Sequence, residues 1–172
     1  RGAIIILILA WIISTVVSEM HTGEYLSTLV AGNIHAGFLP VILFLLAGVM
    51  AFATGTSWGT FGIMLPIAAA MAVKVEPALI IPCMSAVMAG AVFGDHCSPI
   101  SDTTILSSTG AHCNHIDHVT SQFPYALTVA ASAAIGYLIL GMTGSAPLGF
   151  VVTGIVMVVL IFILKDKKKT TA

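Results

Sequence analysis

The chain has 172 residues, 58% hydrophobic and only 8% charged, with a formal net charge of −1 and a mean hydropathy of +1.09. Soluble domains run near about 45–50% apolar and about 25% charged, so too few polar side chains remain here to cover a water-facing surface. Composition therefore excludes an ordinary soluble globule, the lack of a basic stripe leaves no case for nucleic acid, and the expectation is an all-α polytopic protein whose first partner is the lipid bilayer.

Five apolar blocks follow one another. The first, Ala3 to Ser18, comes directly after Arg1 and has the charged start of a signal peptide. Its apolar part runs on through Val17 without a clear small-residue cleavage site. It reads as a membrane span, and the Arg1 start leads us to expect the C-terminal part of a larger protein, with residues 1–172 forming one transmembrane domain. The polar connection "EMHTGEYLSTLVAGNIHAG" holds an amphipathic patch (Tyr25, Leu26, Leu29, Val30) suited to the membrane interface.

The second block, Phe38 to Val73, is far longer than the roughly 20 residues one crossing needs. It is interrupted by "ATGTSWGT", Ala53 to Thr60. The pieces on either side are about 13 residues each, which fits a re-entrant hairpin better than full spans. Lys74, Val75, Glu76 and Pro77 form a water-side turn. The third block, Pro77 to about Ser108, is expected to unwind between Gly94 and Asp102, because Pro99 removes a helix hydrogen bond and Gly94 weakens the preceding turn. The fourth block is Pro124 to Met142 and the fifth Pro147 to Leu164.

Between blocks three and four, "AHCNHIDHVTSQF" reads as a loop. His112, Cys113, His115 and His118 are crowded enough to suggest zinc, but there is no second cysteine pair and Asp117 is the only nearby carboxylate. A polar interfacial loop is the better reading. The three cysteines (Cys83, Cys97, Cys113) imply no disulfide framework. Trp11 and Trp58 suit packing or the interface. The basic tail, residues 165–172, marks a cytoplasmic end under the positive-inside rule. Counting back from it puts the His-rich loop inside and Lys74 outside.

The two breaks carry the chemistry. An aspartate near a helix centre costs roughly 2.5–3.5 kcal/mol on insertion scales, and no lysine or arginine lies between Lys74 and Lys165 to offset Asp95 and Asp102. A cation, a proton, His96 or a group outside this chain must then be the partner. Hard oxygens are on offer at both breaks, from Thr54, Thr56, Ser57 and Thr60 and from Asp95, Ser98, Ser101, Asp102, Thr103 and Thr104, and such sets suit hard cations. Paired broken segments point to a secondary-transporter site. Desolvation disfavours a charged carboxylate, so one in a dry site is able to hold either a proton or a metal ion. The bland alternatives are interhelical packing for "TGTS" and Asp102 as the N-cap of "TTILSS".

"FATGTSWGTFGIMLPIA", "AVMAGAVFGDHCSPISDTTILSSTGAHCNHIDHV" and "TSQFPYAL" resemble the C-terminal half of NhaC-type Na⁺/H⁺ antiporters, over about Trp11 to Gly141. The resemblance implies one half of an inverted-repeat carrier, with a re-entrant hairpin and an unwound helix, in the bacterial inner membrane. It implies no cofactor, only transported Na⁺ and H⁺, and as partner the missing N-terminal half; a homodimer is left open. Thr54, Thr56 and Ser57 would form the hairpin-tip part of the cation site. Asp95, Ser98, Ser101, Asp102 and Thr103 would form the unwound-helix part, with Asp95 first for carboxylate binding and Asp102 as second ligand or cap. Rival readings are an organic-anion exchanger resembling malate/lactate antiporters, an intramembrane hydrolase built on Asp95 with Asp102 or His96, and a non-transporting scaffold. An arginine or lysine near the breaks would favour an anion, and the sequence has none.

Overall fold

A computed structural model describes residues 35–170 continuously, with side chains to Leu164, together with Ile12, Thr15, Val16, Glu19, Met20 and Tyr25. The expected first span, Ala3 to Ser18, and the interfacial patch at Leu26, Leu29 and Val30 otherwise lie outside the described residues, as does Trp11. Within residues 35–170 six α-helices follow one another: α1 Leu39–Thr54, α2 Ser57–Val75, α3 Ile80–Cys97, α4 Asp102–Gly110, α5 His115–Thr143 and α6 Ala146–Thr170. Short 3₁₀ turns, Ala36–Phe38 and Pro77–Leu79, lead into α1 and α3. Among the described residues, five segments are long and apolar enough to cross a membrane: Ala36–Thr54, Ser57–Val75, Pro77–Cys97, His115–Thr143 and Ala146–Leu164. No strand occurs among the described residues. The protein is an all-α polytopic membrane protein.

Helices α1 and α3 run parallel and close. Phe44 faces Gly90, Gly48 faces Gly94, and Phe52 faces Ser98. A Cβ at Gly90 would collide with the Phe44 carbonyl oxygen, and one at Gly94 with that of Gly48. Glycine is there because two helix backbones meet, which is the usual way membrane helices gain packing without a hydrophobic drive. Helix α2 begins beside the end of α3, at Ser57 and Asp95, and finishes at the turn that feeds α3. So α1 and α2 form an antiparallel hairpin whose tip is Gly55–Thr56.

The core fills the space between these three helices. Leu39, Leu43, Ala47 and Ala51 of α1 meet Ile67, Ala68, Met71 and Ala72 of α2 and Cys83, Val87 and Ala91 of α3, all buried. Helix α5 closes one side, where Phe44 stacks on Tyr137 at 5.4 Å between centroids and the Tyr137 hydroxyl donates to the Ser85 carbonyl at 3.0 Å. Outer faces stay apolar: Ile81 is 79% and Phe150 82% exposed. Large apolar side chains left so bare fit lipid or protein contact, not water. Trp58 is exposed and packs edge-on to Phe61.

Five features differ from the sequence reading, each for a local reason. The hairpin arms have 16 and 19 residues, span length rather than about 13. The polar run Ala53–Thr60 does not all unwind: Gly55 takes a left-handed φ of 68° and Thr56 caps α2, so Ser57 to Thr60 are already helical. Gly94 likewise stays inside α3, and the break is confined to residues 98–101. Ser101, not Asp102, caps α4, its oxygen accepting from the Thr103 amide at 3.2 Å. Finally, residues 115–123 are helix instead of loop. Asn114 caps α5 by accepting from the Ile116 and Asp117 amides at 2.9 and 3.3 Å, and Pro124 is carried inside the helix.

Candidate functional site

Four helix ends converge on one place: the C-termini of α1 and α3 and the N-termini of α2 and α4. At the hairpin tip, Gly55 lies against Ile100 in the α3–α4 linker, so close that a Cβ would stand 3.0 Å from the Ile100 carbonyl oxygen. The last carbonyls and first amides of a helix have no intrahelical partner. The two breaks therefore supply each other. Ser98, fully buried, donates to the Phe52 carbonyl near the end of α1 at 2.8 Å, and its oxygen accepts from the Ile100 amide at 3.4 Å.

Asp95 is the centre. It stands in the last turn of α3 and is only 6% exposed. Ser57, the first residue of α2, donates to Oδ2 at 2.8 Å. Ser101, the cap of α4, donates to Oδ1 at 2.5 Å. With the Ser101 proton so used, the 2.7 Å contact between Ser101 and Thr103 hydroxyls has Thr103 as donor. Since Thr103 is exposed, a line of hydroxyls leads from the surface through Ser101 to the carboxylate. Each carboxylate oxygen has two lone-pair directions, so accepting one hydroxyl leaves capacity for a cation. Hydroxyl oxygens on either side would complete a hard-oxygen set.

The other sequence-selected residues have different surroundings. Thr56 is half-buried and caps α2, its oxygen accepting from the Gly59 amide at 3.4 Å. Thr60, buried, donates to the Thr56 carbonyl at 3.0 Å. Thr54 is exposed and donates to the Met50 carbonyl of its own helix at 2.9 Å. Asp102 is exposed in the first turn of α4, outside the bonded cluster. Asp102 takes no part in the hydrogen bonds that surround Asp95, whose partners are Ser57 and Ser101. Among the described residues no three of His, Cys, Asp and Glu gather where a metal ion could be held, so the zinc spacing is not realised in space. His112 instead occupies a left-handed turn, φ 53°, that closes α4: the amides of His112 and Cys113 bond the carbonyls of Thr109 and Ser108.

One residue, Gln122, escaped the sequence reading, and His115, weighed there only as a zinc candidate or loop residue, takes a different role. His115 Nε2 is 2.7 Å from the Pro99 carbonyl and its Nδ1 3.0 Å from the Ser108 hydroxyl. Gln122 Nε2 donates to the His96 carbonyl at 2.7 Å, which Thr104 also reaches at 3.2 Å. The signal was present: Asn114 followed by Asp117 is a helix start, and reading it so places 115 and 122 on one face.

The sequence matches the Na⁺/H⁺ antiporter family over residues 1–142. The chain belongs to that family. It is 64% identical over 166 residues to an uncharacterised protein of Haemophilus influenzae, covering 96% of this chain and 32% of the relative. It is 31% identical over 111 residues to the malate-2H⁺/Na⁺-lactate antiporter of Bacillus subtilis, covering 63% of this chain and 23% of that protein. It is 35% identical over 136 residues to the arginine/ornithine antiporter of Halobacterium salinarum, covering 66% and 27%. The chain thus spans about a third or less of the length of these curated relatives. No solved structure matches it. Membership in an antiporter family speaks for a transporter and against an enzyme.

Proposed function

We propose that this chain supplies the cation-binding half-site of a Na⁺/H⁺ exchanger, with Asp95 taking Na⁺ and H⁺ in turn. The observation that carries the reading is the buried Asp95 carboxylate, bonded on each oxygen by a serine hydroxyl from a different helix break. Ser57, Asp95 and Ser101 form the first ligand set, with Thr103 as the outer hydroxyl through which a proton passes. Ser98 ties the second break to the end of α1, and Thr56 fixes the start of α2 as its cap. A proton and a Na⁺ ion cannot share one carboxylate oxygen pair at full strength, so loading one releases the other, and that competition is the basis of exchange. The protein would sit as a multi-pass protein in the bacterial inner membrane with its basic tail in the cytoplasm.

The test is Na⁺-driven proton movement in vesicles carrying the protein as its host encodes it, wild type against Asp95→Asn. Loss of exchange with normal insertion is expected; wild-type exchange from the variant would move the coupling carboxylate elsewhere.

A second reading is organic-anion antiport, favoured by the relative named for malate and lactate; the relative named for arginine and ornithine, both cationic amino acids, does not favour an anion. The N-termini of α2 and α4 offer positive dipole ends to a carboxylate, but the acidic Asp102 in the first turn of α4 works against an anion there. Malate-dependent flux without Na⁺-driven proton movement would make this the better reading.

A further inference from the structure

Helix α5 grips the unwound stretch from outside the Asp95 cluster. Breaking α3 at Cys97 orphans the His96 carbonyl, and the Pro99 carbonyl lies in the linker without a helix partner. Both are reached by side chains of α5, and the His96 carbonyl also accepts from Thr104 of α4. His115 and Gln122 stand seven positions apart, two turns along the same face of α5. Each reaches a main-chain carbonyl at 2.7 Å. A carbonyl only accepts, so His115 carries its proton on Nε2, and its Nδ1 meets Ser108 of α4. One imidazole therefore joins α4, α5 and the linker.

The two gripped carbonyls lie between Asp95 and Ser101, the residues whose side chains meet at 2.5 Å. Fixing His96 and Pro99 fixes the separation of that carboxylate and hydroxyl. We propose that His115 and Gln122 are positioning residues that set the Asp95–Ser101 geometry, and with it the affinity for the cation. The proposal rests on Asp95 being the cation carboxylate. It assigns the start of α5 to the site's second layer of support, and a displacement of α5 along α3 would open the Asp95–Ser101 contact.

Cys97, 3% exposed between the gripped carbonyls, gives a readout independent of transport. In a protein whose Cys83 and Cys113 are replaced by alanine and serine, its alkylation by a membrane-permeant maleimide reports opening of the break. His115→Ala and Gln122→Ala are expected to speed labelling about threefold, the factor for one lost hydrogen bond. They are also expected to raise the half-saturating Na⁺ concentration more than they lower the maximal exchange rate. His115→Gln, whose amide can still donate to Pro99, restores both. Unchanged labelling in both alanine variants overturns the brace, whatever transport does. Faster labelling with an unmoved Na⁺ half-saturation overturns the positioning role and leaves a purely structural contact. If wild type shows no Na⁺-driven proton movement, the exchanger reading fails, and the labelling still decides the brace.

Discussion

Ser57 and Asp95, 38 positions apart in the chain, share a 2.8 Å hydrogen bond that ties the tip of one helix hairpin to the last turn of another helix. A hydrogen bond to a buried charged group contributes about 1.5–3 kcal/mol. Ser57→Ala removes both a donor to Asp95 and a candidate cation ligand. The half-saturating Na⁺ concentration for exchange is expected to rise by about tenfold or more, since about 1.4 kcal/mol is a factor of ten. Ser101→Ala should do the same through the other oxygen. The double variant should fall short of the product of the two, because both act on one carboxylate. Two independent, fully multiplicative effects would mean that the serines do not share Asp95 as their target.

Gly94 separates a packing role from a helix-breaking one. Alanine there meets the Gly48 carbonyl, and α1 and α3 must move apart. Overpacking of this kind costs about 1–3 kcal/mol, read as a lower thermal midpoint of the detergent-solubilised protein. Gly110, also helical, has nothing within 4 Å of a Cβ, so Gly110→Ala should be neutral or stabilise by about 0.5–1 kcal/mol. Equal effects at both positions would refute the close approach of the two backbones.

Much of this arrangement is legible in the sequence, and the failures share one cause. The hydropathy blocks locate the helices because lipid requires apolar side chains and internally bonded backbone. The polar residues at 54–60 and 95–104 mark both breaks. What polarity cannot show is how few residues unwind. Ser57 and Asp102 look like break residues but begin helices, because Thr56 and Ser101 cap them. The run His115 to Phe123 looks like loop because it is polar, although Asn114 caps it into α5. Pairing Ser57 with Asp95, or His115 with Pro99, needed the fold, since nothing in a hydropathy pattern reports that four helix ends meet.

Asn114 tests that last boundary. Its side chain takes two first-turn amides of α5, so Asn114→Ala is expected to cost about 1 kcal/mol and Asn114→Asp little. Because His115 is the first residue after the cap, the alanine variant should also speed amide hydrogen exchange over residues 115–118 while leaving the rest of α5 unchanged. Uniform exchange along the whole helix in both variants would show that the cap does not set the helix start.

Gly55 carries the turn of the hairpin in a left-handed conformation, φ 68°, with Ile100 against it. Any Cβ there faces both backbone strain and the linker carbonyl. Gly55→Ala is expected to destabilise by about 1–2 kcal/mol from the left-handed strain alone, and Gly55→Asn less on that count, since asparagine tolerates this region. If alanine lowers the thermal midpoint no more than asparagine does, contact with Ile100 rather than backbone strain dominates at the tip.

Asp102 provides the sharpest contrast with Asp95, because the two carboxylates sit seven residues apart in one motif and in opposite surroundings. Asp95 is buried with a hydroxyl on each oxygen, whereas Asp102 is exposed in the first turn of α4. A carboxylate at that position stabilises the helix by about 0.3–1 kcal/mol through the N-terminal partial charge. Neutralising it should therefore leave Na⁺ half-saturation within about fivefold, the factor that about 1 kcal/mol represents, and lower the thermal midpoint slightly. Asp95→Asn should abolish exchange while the protein still inserts. An Asp102→Asn variant as inactive as Asp95→Asn, with normal insertion and stability, would place a second ion-binding carboxylate at the start of α4 and enlarge the site toward its exposed side.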